Sequence, residues 1–278
     1  TADASLAASD QVLVQHKIEG FNTAHLGFGA ANAATVTLSF WVKSTVTGTA
    51  YVAFKNSAAD RGYPAAYTIS SSNTWEKKTI KVVGDTSGTW IGATNGIGIN
   101  LEFILAAGTD FHGTANAWGA GNLKGASGMA NLINDAANNI LITGVQLEVG
   151  AAATDFEHRD IASEEARCQR YCYNMVEDGS IDGVAVAYNW NTTQTIMAIP
   201  HPQPMRAKPS LTSLGDITKL NLYYAGSSVQ AGTTASINES TRFMNAIAVN
   251  IGSAVFTAGN PCHIRTNAST DIIFDAEL

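Results

Sequence analysis

A chain of 278 residues, 45% apolar, with 25 glycines and only 14% charged residues, has room for one large or two moderate domains and is too turn-rich for a helix-dominated or coiled-coil fold. A net charge of −7 without a basic stripe excludes recognition that rests on neutralising phosphates, so no nucleic-acid partner is expected. No apolar run reaches the roughly 20 residues of a membrane helix and no charged-then-apolar leader opens the chain, so no membrane insertion is expected, and three cysteines do not make a disulfide framework.

The first clear element is a strand in which Val36, Leu38, Phe40 and Val42 alternate with Thr37, Ser39, Trp41 and Lys43, the period of a strand with one buried face. The same alternation recurs over residues 97–105 and 141–149, with shorter β signals at 67–69 and 79–83. Gly, Asn and Asp clusters at 47–48, 60–62, 84–88 and 94–96 supply the turns. Periodicity leaves residues 106–139, rich in Gly, Ala and Asn, without an assigned element, and a stretch of that length is a functional loop or holds short strands.

After Gly150 a charged link leads into a short helix over residues 163–175, with Ser163 as its cap and Glu164 and Glu165 in the first turn. Cys168, Tyr171, Cys172 and Met175 then share one helix face, which reads as a buried packing surface between β domains. Strand signals resume at 184–190, 195–199, 219–224, 246–251 and 272–274, while the prolines between His201 and Pro209 demand an extended connection. The expected fold is all-β: a jelly-roll β-sandwich over residues 1–150, a linker with a short helix over 151–176, and a second, smaller β-sandwich domain over 177–278.

Chemistry-bearing motifs are few. Cys168 and Cys172 lack the spacing of a zinc knuckle or redox pair, and no metal site is assigned. Asp178, Ser180 and Asp182 resemble half of a calcium loop, but Asn189 stands where the bidentate acid belongs, so a plain turn is preferred and a structural calcium has no assigned site. No nucleophile elbow, zincin motif or phosphate-cradling loop occurs, no catalytic residue is assigned, and the protein is read as not an enzyme and without a cofactor. The aromatics carry more. Trp41 points away from the inward face of its strand, and Tyr63, Trp75, Trp90, Phe111, His112 and Trp118 lie at or near turn-rich segments. Rings beside Asn, Asp and Gly suit sugars, whose C–H faces lie on the ring while amides bond the hydroxyls. These seven residues are the glycan-binding candidates, and each has packing as its alternative.

The runs "VTLSFWVKS", "NTWEKKTI", "GDTSGTW", "GVQLEVGAAATDFEHRD", "EEARCQRYCY", "MRAKPS" and the terminal "DAEL", taken in order, resemble phage tail-fibre and related virion appendage proteins that carry a carbohydrate-binding-module-like jelly roll. The resemblance implies a tail fibre or its distal receptor-binding segment, assembled in the host cytoplasm as a homotrimer with other virion proteins and binding host-surface glycans. The competing expectations are a virion decoration or head-fibre protein that makes mainly protein contacts, a polysaccharide-degrading enzyme with a binding module, and a secreted lectin.

Overall fold

In a computed structural model the chain is all-β, with a single α-helix among the described residues, which are 2–175, 183–213, 216–224, 228–266 and 271–278. None of those residues forms a helix long and apolar enough to cross a membrane. The chain divides into two compact units, residues 1–158 with 278, and residues 159–277.

The first unit contains β1 (Gln11–Glu19), β2 (Val36–Ser44), β3 (Gly48–Lys55), β4 (Arg61–Ile69), β5 (Glu76–Val82), β6 (Ile97–Ala107), β7 (Gly119–Ala120) and β8 (Ile140–Val149). They form a five-stranded sheet ordered β1-β6-β3-β4-β7 and a three-stranded sheet ordered β5-β2-β8, antiparallel throughout. The alternation in β2 sends Leu38, Phe40 and Val42 into the core shared with Val52 and Phe54 of β3, Tyr67 and Ile69 of β4, and Leu101 and Phe103 of β6. Phe40 sits edge-on to Tyr67 and Phe103 at centroid distances of 5.2 and 5.1 Å, a favoured arrangement for ring quadrupoles.

Residues 109–132, within the stretch that periodicity leaves unassigned, lie across the outer face of the five-stranded sheet. Phe111, Ala126 and Met129 pack there on Tyr51, Ala53 and Ile104, while Ala130 and Leu132 donate backbone hydrogen bonds to Thr49 and Leu105. Beneath this cover Glu102 of β6 is clamped between Lys55 of β3, at 2.8 Å, and Lys124 of the covering segment, at 2.6 Å. Gln15 adds a hydrogen bond to the same carboxylate and Asn122 accepts one from Lys55. All three charged side chains are buried. Burial lowers the Lys124 ammonium to about 8, with the Glu102 carboxylate opposing the shift.

The second unit opens with α1 (Ile161–Gln169), followed by β9 (Cys172–Asn174), β10 (Gly183–Asn189), β11 (Gln194–Pro200), β12 (Ser210–Ser213), β13 (Leu220–Tyr224), β14 (Ser228–Ala231), β15 (Thr234–Ser240), β16 (Met244–Asn250), β17 (Pro261–Thr266) and β18 (Ile273–Asp275). The helix differs from expectation at both ends. Its cap is Asp160, whose carboxylate accepts from the Ser163 backbone and hydroxyl, and it stops at Gln169 because Cys172–Asn174 pair with Ile273–Asp275 as a strand. The expected buried cysteine face is therefore absent: Cys168 is exposed on the helix, Cys172 is half-buried on β9, and Cys262 is the buried thiol.

A seven-stranded sheet, β14-β13-β17-β10-β11-β16-β15, and a three-stranded sheet, β12-β18-β9, share one core that includes Met197, Ile199, Leu222, Ile247 and Phe274. This core carries polar groups without partners. Both side-chain polar atoms of Asn245 and both ring nitrogens of His201 are buried and find no hydrogen-bond partner among the described residues. The His201 ring lies 5.3 Å from that of Phe274. Burial holds the His201 pKa below its ordinary value.

Two outcomes follow from these buried groups. Glu102→Gln leaves two buried ammonium groups without their counter-charge and lowers the stability of the first unit by about 3–5 kcal/mol in chemical denaturation. Because His201 is harder to protonate folded than unfolded, stability is full above the ordinary histidine value of about 6.5 and declines as pH falls through it. The melting temperature of the second unit therefore drops between about pH 7 and pH 5, and His201→Phe flattens that slope.

Candidate functional site

The seven candidate residues fall into three places. Trp41 is on the outer face of the three-stranded sheet, on β2 between Lys77 of β5 and Thr143 of β8. Trp75 immediately precedes β5, two residues along the chain from the Lys77 that pairs with Trp41. Each tryptophan is 42% exposed.

Local chemistry fixes both rings. The turn before β5 closes on Glu76, whose carboxylate accepts from the Ser70 and Ser71 backbone N–H groups and from Lys78. Asn73, at φ +56, donates its N–H to Ser44 at the end of β2. On β8 the register shifts opposite Ser39 and Trp41, and Gly144 takes φ +59, as a bulge of this kind requires. A Cβ at Gly144 would stand 3.4 Å from Trp41 Cδ1 and 3.9 Å from Phe156 Cδ2. Trp41 and Phe156 thus close on the same glycine.

Phe156 reaches this face because the segment after β8 turns back over it. The Gln146 amide donates to Thr154 Oγ1 and the Asp155 carbonyl and accepts from the Glu157 N–H, while Glu148 accepts from the Thr154 N–H. Trp41 and Phe156 therefore stand together on this face, among side-chain amide and carboxylate groups, with Lys77 beside Trp41 in the register and the half-exposed Trp75 on the turn before β5. Such a surface offers ring faces to apolar C–H groups and hydrogen-bonding groups to hydroxyls. Nothing in it forms a nucleophile–base pair.

Tyr63, Trp90 and Trp118 lie elsewhere, in a cluster with Phe28. Trp90 meets Phe28 at 4.9 Å and Trp118 at 5.6 Å, both nearly perpendicular, and Trp118 meets Tyr63 at 5.1 Å. Their indole N–H groups are used within the protein, by the Ser87 carbonyl for Trp90 and the Val83 carbonyl for Trp118. Tyr63 is buried. The cluster holds the 84–96 segment to the sheet, helped by a two-pronged Arg61–Asp85 ion pair at 2.7 Å. The adjoining cavity, lined by Thr23, Phe28, Trp90 and Ile99, has a volume of about 50 Å³, far below the several hundred of a small-molecule site. Phe111 and His112 belong to the cover over the five-stranded sheet. The Phe111 ring lies 5.6 Å from the Lys124 ammonium, and His112 Nε2 donates to the Ala107 carbonyl at 3.1 Å.

Among the described residues no three of His, Cys, Asp and Glu gather into a metal site. The calcium-like run at 178–182 lies outside those residues. Phe21, Phe156, Tyr188, Trp190 and Phe243 are exposed aromatics outside the candidate set. Phe156 has no sequence signal beyond its own hydrophobicity. The row Val186, Tyr188 and Trp190 is legible in the alternation with Ala185, Ala187 and Asn189.

The Glu76 carboxylate, held down to about 2 first by Lys78 and then by the Ser71 and Ser70 N–H groups, ties the Trp75 turn to pH. Its folded pKa lies below the unfolded value of about 4.3, so its contribution is complete above that value and is lost as pH falls towards about 2. Trp75 becomes more accessible to a fluorescence quencher across that window, and Glu76→Gln shows the acid-form accessibility already at pH 7.

Compared with models of known protein families the chain matches none, and comparison with curated proteins likewise finds no match.

Proposed function

We propose that the protein is a non-catalytic structural component of a virion appendage, a tail fibre or its distal segment, that recognises host-surface glycans through the outer face carrying Trp41 and the turn carrying Trp75. The observation that carries this reading is the half-exposed Trp41 on that face, among lysine, amide and carboxylate groups and beside Phe156, with the half-exposed Trp75 on the turn before β5. Half-exposed indoles such as Trp41 and Trp75 offer large apolar surface for a partner to cover. Tyr63, Trp90, Phe111, His112 and Trp118 serve in this reading as packing groups that hold the scaffold.

Strand order supports a jelly roll. In an eight-stranded jelly roll the second strand pairs with the seventh, the seventh with the fourth, the fourth with the fifth, and the third with both the sixth and the eighth. Setting aside the two-residue β7, the five main pairings of the first unit match these if its β1 stands for the second strand. The position of the first strand, beside β8, has no strand among the described residues. The family resemblance of "GVQLEVGAAATDFEHRD" and "EEARCQRYCY" adds the appendage role and a homotrimer, in which weak sites gain strength by repetition. The decoration-protein reading draws on a different observation, the apolar outer face of the seven-stranded sheet, where Val186 is 76% and Trp190 59% exposed.

A glycan-array screen of the purified chain beside Trp41→Ala and Trp75→Ala tests the proposal. Each variant is expected to lose roughly two- to tenfold in apparent affinity, in keeping with about 0.5–1.5 kcal/mol for a stacking ring, while melting as the original does. Unchanged binding in both variants, or no glycan bound by the original chain, would overturn it.

A further inference from the structure

The seven-stranded sheet has one face on the core, and its other face exposes several large side chains around the buried Ile196 and Ala248. Register aligns Val229, Tyr223, His263 and Val186 over four strands of that face and Ala198 with Ala246 over two more, Val186 and Ala198 each standing one residue beyond the Ala187–Met197 pair that joins β10 to β11. Val186 and Val229 are exposed there, and Tyr188 and Trp190 extend the row along β10.

The row is not uniform. Its β14 side is bulky and carries Tyr223 and His263, with Arg265 beyond them on β17, its guanidinium over the Tyr223 ring at 5.4 Å. On its β15 side Ala198 and Ala246 form a low strip between Ile196 with Ala248 on one flank and Pro200 with the exposed Met244 on the other, and the strip ends on Glu239, which pairs with Ala246. Large and basic at one end, small and acidic at the other, the face complements itself in shape and in charge. A second copy of the same face, turned so that bulky meets low, places side chains over alanines and an arginine near a glutamate. Flat sheet faces pack on one another about 10 Å apart when such interdigitation is available.

We infer that this face is where copies of the chain associate, with Arg265 of one copy meeting Glu239 of the next. The inference rests on the multi-copy appendage proposed above and names the surface that builds it. In the homotrimer proposed above the contact is heterologous, each copy meeting the next around the ring.

The test measures the mass of the full chain in solution by sedimentation, alongside Val186→Glu, Glu239→Arg, Arg265→Glu and the double reversal, with glycan binding followed in parallel. Val186 is exposed in the single chain, so a glutamate there leaves folding intact. The expected result is an oligomer for the original, a dissociation constant raised about a hundredfold by Val186→Glu and about tenfold by each charge reversal, and recovery in the double reversal. Glycan binding per chain stays with Trp41 and Trp75 in the monomeric variant. An original chain that is monomeric, a Val186→Glu variant that keeps the oligomer, or a double reversal no stronger than the single ones would each overturn the inference. Loss of glycan binding only in the tryptophan variants, beside any of these, would leave the glycan reading standing.

Discussion

Glu102 is held between Lys55 and Lys124, all three out of water, and this clamp decides which surfaces of the first unit are available. A carboxylate in such a place is tolerable only with its counter-charges present, and one of them comes from residue 124, in the segment that covers the sheet. Cover and clamp therefore require each other. With Phe111, Ala126 and Met129 seated on Tyr51 and Ile104, the central strands β3 and β6 are buried on both faces, while the edge strand β1 stays largely exposed. On the outer side of the three-stranded sheet the segment after β8 buries Thr37 and Ser39, and Trp41 is left half-exposed beside it.

The same logic separates the aromatic residues. Trp90 and Trp118 meet ring edges with ring faces and spend their N–H groups on backbone carbonyls, so their polar and apolar capacities are both used within the protein. Trp41 and Trp75 keep exposed surface, and the groups around them are fixed by Glu76, Gln146 and Glu148 rather than by burial. Rigidity supplied by hydrogen bonds at the rim is what a binding surface needs, because less ordering is left to be done when a ligand arrives.

Much of the strand pattern was legible because one buried face leaves a period of two, as in β2, β6 and β8. β3 escaped for a physical reason: the cover buries its outer face as well, so "GTAYVAFK" shows no alternation of polar and apolar residues. The helix was placed correctly in kind and wrongly in extent, since Asp160 outcompeted Ser163 as the cap and pairing with β18 claimed Cys172. Trp41 could be read as outward from the aliphatics beside it, and Trp75 stands on the turn before β5. The partners of Trp118 could not be read at all, because Phe28 and Tyr63 come from distant parts of the chain.

The central claim is that ligand meets the open face and leaves the packed cluster untouched. The five tryptophans give five indole N–H resonances, and following them by NMR while a bound glycan is titrated in tests that claim directly. The account predicts progressive shifts for Trp41 and Trp75, with Trp90 and Trp118 unmoved. Shifts confined to Trp90 and Trp118 would contradict it and move the site to the loops around Phe28.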